Sequence, residues 1–232
     1  MIINPYSFGT TLVNQYSFLF DGVNERINFG DVFDFGTGDF SISFWAKLSA
    51  GGYVYRKQLD SANAGFQFYF GGANGRPTFI IRDTLGNTSG TTELNTTDYR
   101  DSTWRNFVLA YQRSSNVRLY IDGTLNSSSI ISTISASLDN SQNFYISYTA
   151  FPYNGYIDEF AVWNTNLDAT GAAATISGSK PANLATHPNV ANLVGWFRAD
   201  GDSNPNVADN SGNGNTGTME NMESGDIQTD VP

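Results

Sequence analysis

Apolar residues recur at every second position in four separate stretches of the chain. Phe40, Ile42, Phe44, Ala46 and Leu48 alternate with Ser41, Ser43, Trp45 and Lys47. Phe66, Phe68 and Phe70 alternate with Gln67 and Tyr69, and Val117, Leu119 and Ile121 with Arg118, Tyr120 and Asp122. Phe144, Ile146 and Tyr148 alternate with Tyr145 and Ser147. Successive side chains of a strand point to opposite faces, so each stretch predicts a strand with one packed face. Gly, Asn, Asp or Ser bounds each run, which places turns between them. Many short strands without intervening helices predict an all-β fold, a two-sheet antiparallel sandwich. One short helix is expected over 167–176, with Asp168 near its start and Gly178 beyond its end. The stretch 86–103 is polar and Thr-rich and reads as a long loop, functional or disordered.

The run Gly155-Tyr156-Ile157-Asp158-Glu159-Phe160-Ala161-Val162-Trp163 reads as a buried strand carrying two acids. Strict alternation puts Asp158 on the same face as Phe160 and Val162. A carboxylate on a packed face needs a partner, and a cation or a set of backbone N–H groups would serve.

Residues 181–232 differ in character. Leu193-Val194-Gly195-Trp196-Phe197-Arg198 predicts a strand, and 209–218 is a Gly- and Asn-rich loop. So little apolar content cannot form a core of its own. The segment is expected to complete the sandwich, with Trp196 and Phe197 as its anchor, or else to contact a neighbouring chain. The organisation expected is thus an N-terminal arm over 1–16, a sandwich over 17–180 and a C-terminal extension over 181–232.

Composition narrows the function classes. The chain has 232 residues, 17 Phe and 12 Tyr, enough for one sizeable β domain. Its net charge of −10 argues against nucleic acid or an anionic membrane surface as partner. There is no Cys, and no run of 18 apolar residues. The first residues, Met1-Ile2-Ile3-Asn4-Pro5-Tyr6, lack the pattern of a Sec signal peptide.

Four segments carry a family resemblance. Phe18-Leu19-Phe20-Asp21-Gly22 is similar to an opening F-D-G strand, and Asp39 to Lys47 to a tryptophan-bearing strand. Thr103 to Tyr111 followed by Val117 to Gly123 resembles a W-x-x-apolar hairpin ending in Y-x-D-G. The Gly155 to Trp163 run followed by Asn166-Leu167 resembles a closing strand. In this order, over residues 17–170, they resemble laminin G-like domains of the concanavalin A-like lectin/glucanase jelly-roll group. A free-standing module of this kind, with no cysteine, no enzyme motif and an Asn- and Gly-rich tail, is similar to jelly-roll proteins of bacteriophage virions. That resemblance implies a non-catalytic decoration or attachment protein on a capsid or tail appendage, with glycan binding as an added capacity. Its partners would be other virion proteins, copies of itself or a cell-surface glycan, and its location the virion. The alternative is an exported, extracellular carbohydrate-binding lectin or adhesin.

Candidate chemistry follows the same division. Laminarinase-like enzymes of this superfold carry E-x-D-x-x-E on one strand, and the Asp158-Glu159 pair lacks that spacing, so no catalytic residue is expected. The single His187 precedes Pro188 and reads as a surface histidine. One Ca²⁺ would draw on Asp158, with Asp21, Asp209 and Asn213 approaching it if the sandwich closes as in relatives. The other reading of Asp21 and Asp209 is turn formation. Ligand or interface contacts are expected from Tyr153, Tyr156, Phe151, Tyr99, Tyr55 and Arg56, with Tyr53 and Tyr69 also available, and Phe151 to Gly155 reads as an exposed aromatic turn.

Overall fold

A computed structural model describes residues 13–57 and 63–232; residues 1–12 of the expected N-terminal arm lie outside the described residues. The strands run in chain order β1 (Ser17–Asp21), β2 (Arg26–Asn28), β3 (Phe40–Ala50), β4 (Gly52–Lys57), β5 (Gly65–Phe70) and β6 (Pro77–Arg82). Next come β7 (Thr88–Glu93), β8 (Arg105–Gln112), β9 (Asn116–Ile121), β10 (Thr124–Ile130), β11 (Tyr145–Ile146) and β12 (Asn154–Trp163). After helix α1 (Ala169–Ala173) follow β13 (Ile176–Ser177), β14 (Lys180–Pro181), β15 (Leu193–Phe197), β16 (Asn206–Val207), β17 (Gly217–Glu220) and β18 (Ile227–Gln228).

Two antiparallel sheets form the sandwich. The first has the order β10-β9-β8-β3-β12-β1-β18, with β15 also on β12. The second has the order β16-β17-β2-β11-β4-β5-β6-β7. The C-terminal extension therefore contributes strands to both sheets: β15 and β18 to the first, β16 and β17 to the second.

The core between the sheets is largely aromatic. Phe44 of β3 lies 5.5 Å from Phe107 and 5.9 Å from Phe160, ring centre to ring centre. Phe40 stacks on Tyr111 at 4.3 Å, and Phe197 meets Phe29 at the same distance. These rings are fully or almost fully buried, as the alternation of β3 and β5 predicts. Burying each is worth roughly 1.5–3 kcal/mol. Tyr55 and Tyr111 share a hydrogen bond at 2.8 Å inside this core, so neither hydroxyl is orphaned.

A second apolar cluster lies on the outer face of the first sheet. Trp163, Ala161 and Val108 of the sheet pack there with Leu167, Ala172, Leu184 and Trp196. Helix α1 covers it and is shorter than the sequence suggests, five residues instead of ten. Asp168 caps its start by accepting from Gly171 N–H at 2.8 Å. His187 is a correction to the surface reading. It is buried, its Nε2 bonds the Gly171 carbonyl at 2.9 Å, and its ring lies 4.4 Å from that of Trp163. Burial holds its pKa below the ordinary histidine value.

The stretch 86–103 is also corrected. Thr88–Glu93 forms β7, paired to β6 at the edge of the second sheet. An edge strand needs no apolar row, so its polar composition hides it from pattern reading.

Strand β12 holds the fold's irregularity. One of its sides is shared by two strands: Asn154 to Ile157 pair with β1, and Phe160 to Trp163 pair with β15. On its other side the register against β3 slips between Asp158 and Ala161, a bulge in which Glu159 takes φ 49°. Asp158 sits opposite Trp45, not opposite Phe44, which corrects the alternation argument. It shares the outer face with Trp45, while Phe160 stays in the inter-sheet core.

A second acid sits where the extension meets the start of the sandwich. Glu25 is 6% exposed and accepts the Asp21 N–H at 2.5 Å. Burial raises its carboxyl to about 7; the Asp21 N–H opposes that, and Asp226 and Asp21 add to it. A folded-state value above the ordinary one contributes stability at low pH that is lost as pH rises from about 4.5 to about 7. Glu25→Gln is expected to flatten that fall: melting curves at pH 5 and pH 8 should lie closer together than in the parent. Equal separation in parent and variant would show that Glu25 is not the titrating group.

Candidate functional site

The outward face of the second sheet carries a continuous set of rings and guanidinium groups. Strand β4 supplies Tyr53 and Arg56, three residues apart and on opposite faces under strict alternation. The register against β5 shifts between Tyr53 and Tyr55, so Tyr53 faces Tyr69 and Arg56 faces Gln67 on the same side. Tyr55 turns into the core instead. Strand β11 adds Tyr145 directly opposite Arg56. Tyr148 joins from beyond β11 because Ser147, at φ 59°, breaks the alternation that would have sent it inward. Phe151 completes the set from the turn before β12.

The geometry is that of a packed lattice. The Arg56 guanidinium lies 4.7 Å from the Tyr148 ring centre and 5.1 Å from that of Tyr53. The Arg26 guanidinium lies 4.8 Å from Tyr145 and 5.9 Å from Tyr148. Tyr53 meets Tyr69 edge-on at 5.5 Å and Phe151 at 5.9 Å. Such contacts hold ring orientation. Arg26 is further fixed by Glu220 at 2.5 Å, which also accepts from Asn28 at 2.7 Å. Tyr53, Tyr69, Tyr145, Tyr148 and Phe151 are each partly exposed, whereas Arg56 and Gln67 are buried among them. Gln67 Oε1 is buried and receives no hydrogen bond from the described residues. Burial raises the Tyr69 phenol above its usual value, with Tyr53 and Glu93 adding and Thr78 opposing, so it stays a hydroxyl donor through neutral pH. A flat, half-exposed aromatic face with the partly exposed Arg26 guanidinium at its rim can stack on an apolar ring face and bond the hydroxyls at its edge.

The residues expected from sequence divide. Arg56, Phe151, Tyr53 and Tyr69 come together in the lattice. Tyr153, expected on an exposed turn, is a core residue: it is fully buried, its hydroxyl donates to the Tyr156 carbonyl at 3.2 Å, and its ring meets Phe20 edge-on. Tyr55 and Tyr99 are likewise buried in the core. Tyr156 lies on the first sheet, 6.1 Å from Trp104, with the Lys47 ammonium 5.3 Å from its ring. There Asp230 bonds Trp104 Nε1 at 2.8 Å and Lys47 at 2.6 Å, strapping the C-terminal residues across that face. Burial works to raise the Asp230 carboxyl, and these donors outweigh it and hold it below the usual range. Tyr145, Tyr148, Arg26 and Gln67 join the lattice without any motif that marks them in the sequence. The clustering of Tyr145, Tyr148, Phe151 and Tyr153 within nine positions was the available signal.

The expected cation ligands are engaged separately. Asp21 Oδ1 accepts from Val23 N–H at 2.7 Å, a turn-forming bond. Asp209 accepts from Trp196, Ser211 and Asn215 N–H groups, which build the 209–215 loop. Asn213 donates to the Leu193 carbonyl at 2.9 Å. Asp158 is bonded by Asn14 Nδ2 at 2.9 Å and by Glu159 N–H at 2.8 Å. Among the described residues no three His, Cys, Asp or Glu form a group that could hold a metal. Glu159, the other acid of the bulge, accepts from Trp196 Nε1 at 2.6 Å and Arg198 at 2.8 Å. Burial, with Glu159 adding, pushes the Asp158 carboxyl well above the usual range.

Comparison with known proteins bears on the fold. The family model of the concanavalin A-like lectin/glucanases superfamily matches residues 21–172. No curated protein matches the chain. Among solved structures, a candidate carbohydrate-binding protein of Bacteroides ovatus aligns with TM-score 0.65 at 16% identity, over 95% of this chain and 62% of that one. The binding domain of Paraclostridial Mosquitocidal Protein 1 aligns with TM-score 0.51 at 17% identity, over 69% of this chain and 46% of that one. The chain spans less than two thirds of either relative, and at these identities the likeness is one of fold.

Proposed function

Since the chain belongs to the concanavalin A-like lectin/glucanases superfamily, we propose that it is a non-catalytic glycan-binding module that uses the outward face of the second sheet. The observation that carries this reading is the Tyr53, Tyr69, Tyr148 and Phe151 ring set held around Arg56 and Gln67. A candidate carbohydrate-binding protein that shares the fold supports it. Binding sites of this kind join apolar surface to a few placed polar groups. The acids of the enzyme-like strand do not offer themselves for chemistry. Asp158 is fully buried and Glu159 is 4% exposed, each engaged by structural donors. The narrower setting, an attachment protein on a phage capsid or tail appendage, is part of the proposal and would use the same uncharged aromatic contacts.

A glycan array followed by calorimetric titration of the best hit tests this. Tyr148→Ala is expected to weaken binding at least tenfold, about 1.4 kcal/mol, with the fold retained. The same incubation should release no reducing ends, and copurification with particles would test the virion setting. Unchanged affinity in Tyr148→Ala and in Tyr53→Ala would move the site elsewhere.

A further inference from the structure

A concave site lies beside β1 and β18, apart from the residues of the ring lattice. It is a cleft of about 470 Å³ between the approach to β1, the turn that follows β15 and the residues around β18. Tyr16, Ala199, Asp202, Ser203, Asn204 and Ile227 line it. That volume falls in the range of about 300–1,000 Å³ usual for small-molecule pockets.

Asp202 gives the cleft its chemistry. Its Oδ1 accepts from Ala208 N–H at 2.9 Å, which fixes the carboxyl in the turn. Its Oδ2 is buried and receives no hydrogen bond from the described residues. Buried carboxylate oxygens are otherwise almost always bonded, so this atom calls for a donor. Burial raises the Asp202 carboxyl to about 6, the Ala208 N–H opposing and Asp200 adding. It is therefore charged and acceptor-only in neutral solution. No Lys or Arg is among the described lining residues. The nearby Arg198 is committed to Glu159, Asp200 and the Val13 carbonyl. An anion entering the cleft would meet the Asp202 carboxylate with no Lys or Arg among the described lining residues to offset it. The walls are partly apolar: Ala199 is fully buried, Ile227 is half-buried, and the Tyr16 side chain is exposed. The Tyr16 backbone is pinned by Asp200 Oδ1 at 3.1 Å, which fixes where its ring starts.

We propose that this cleft is a second binding site, for one uncharged or amine-bearing monosaccharide unit whose hydroxyl or ammonium hydrogens are accepted by Asp202 while Tyr16 covers an apolar ring face. The site does not depend on the lattice face. Two such sites on different sides of one module would let it hold a branched or repeating glycan at two points, with gain from effective concentration.

The test uses the full chain carrying Tyr148→Ala, so that the lattice face is weakened. Methyl α-glucopyranoside, glucosamine and glucuronate are titrated at neutral pH and followed by saturation-transfer NMR. Glucosamine or the neutral glycoside is expected to bind in preference to glucuronate. Asp202→Asn and, separately, Tyr16→Ala should each weaken that binding about tenfold, 1.4 kcal/mol. Tyr16→Ala alters an exposed ring, so it keeps the test open if Asp202→Asn impairs folding. Glucuronate binding as well as glucosamine, unchanged affinity in Tyr16→Ala, or no binding of any of the three probes would each overturn the proposal.

Discussion

A chain truncated after Asn189 is expected to aggregate or to lose its cooperative melting transition. The deletion removes β15 from beside β12, β17 from beside β2 and β18 from beside β1. Phe197, Ala199, Val207, Met219 and Met222 leave the inter-sheet core with it. Phe197 is fully buried, and a Phe→Ala change at such a site by itself costs roughly 3–5 kcal/mol. Whole-domain stabilities are only about 5–15 kcal/mol, so losing five core residues and three strand pairings exceeds what a domain can absorb. Calorimetry of the truncated chain beside Phe197→Ala checks this. A truncated protein that melts at the parent temperature would show that the extension is dispensable to the fold.

Arg198→Ala should be the most damaging single change outside the aromatic core. Its side chain is 12% exposed and bonds Glu159, itself 3% exposed at the side chain, and Asp200. Removing one partner of a buried pair strands the other charge, at a cost of roughly 3–5 kcal/mol. Burial already raises the Glu159 carboxyl, and Arg198 opposes that rise. Without Arg198 the value climbs further, so the variant gains stability relative to the parent as pH falls and Glu159 protonates. The loss should thus be larger at pH 8 than at pH 5. Adding Glu159→Gln to Arg198→Ala should recover part of the stability, because it removes the stranded charge. A double variant that loses the sum of the two single effects would mean the pair is not coupled.

Both predictions depend on features that differ in how far the sequence exposes them. The alternation of β3, β5 and β9 is written in their apolar positions, because a strand repeats every two residues and its core face must be apolar. The turn-forming role of Asp21 and the capping role of Asp168 are equally local, since each needs only N–H groups two or three residues away. From these and the four motifs the sandwich follows. Strand β7 does not, since an edge strand bears no apolar row.

The candidate site lay largely beyond such reading. Tyr53 and Arg56 share a face only because β4 slips against β5, and Tyr148 faces outward only because Ser147 adopts a left-handed conformation. Period-two logic carries no memory past such a residue: one displaced position reverses every later side chain. The same reversal at Glu159 put Asp158 on the outer face. Tyr153 shows the converse error, since a Pro- and Gly-flanked aromatic looks exposed until Phe20 of β1 packs against it. Sequence alone determined which residues alternate and where the chain turns. Tertiary structure decided where alternation breaks, and which rings, guanidinium groups and acids from distant strands meet, because pairing across strands is set by contacts that no local spacing encodes.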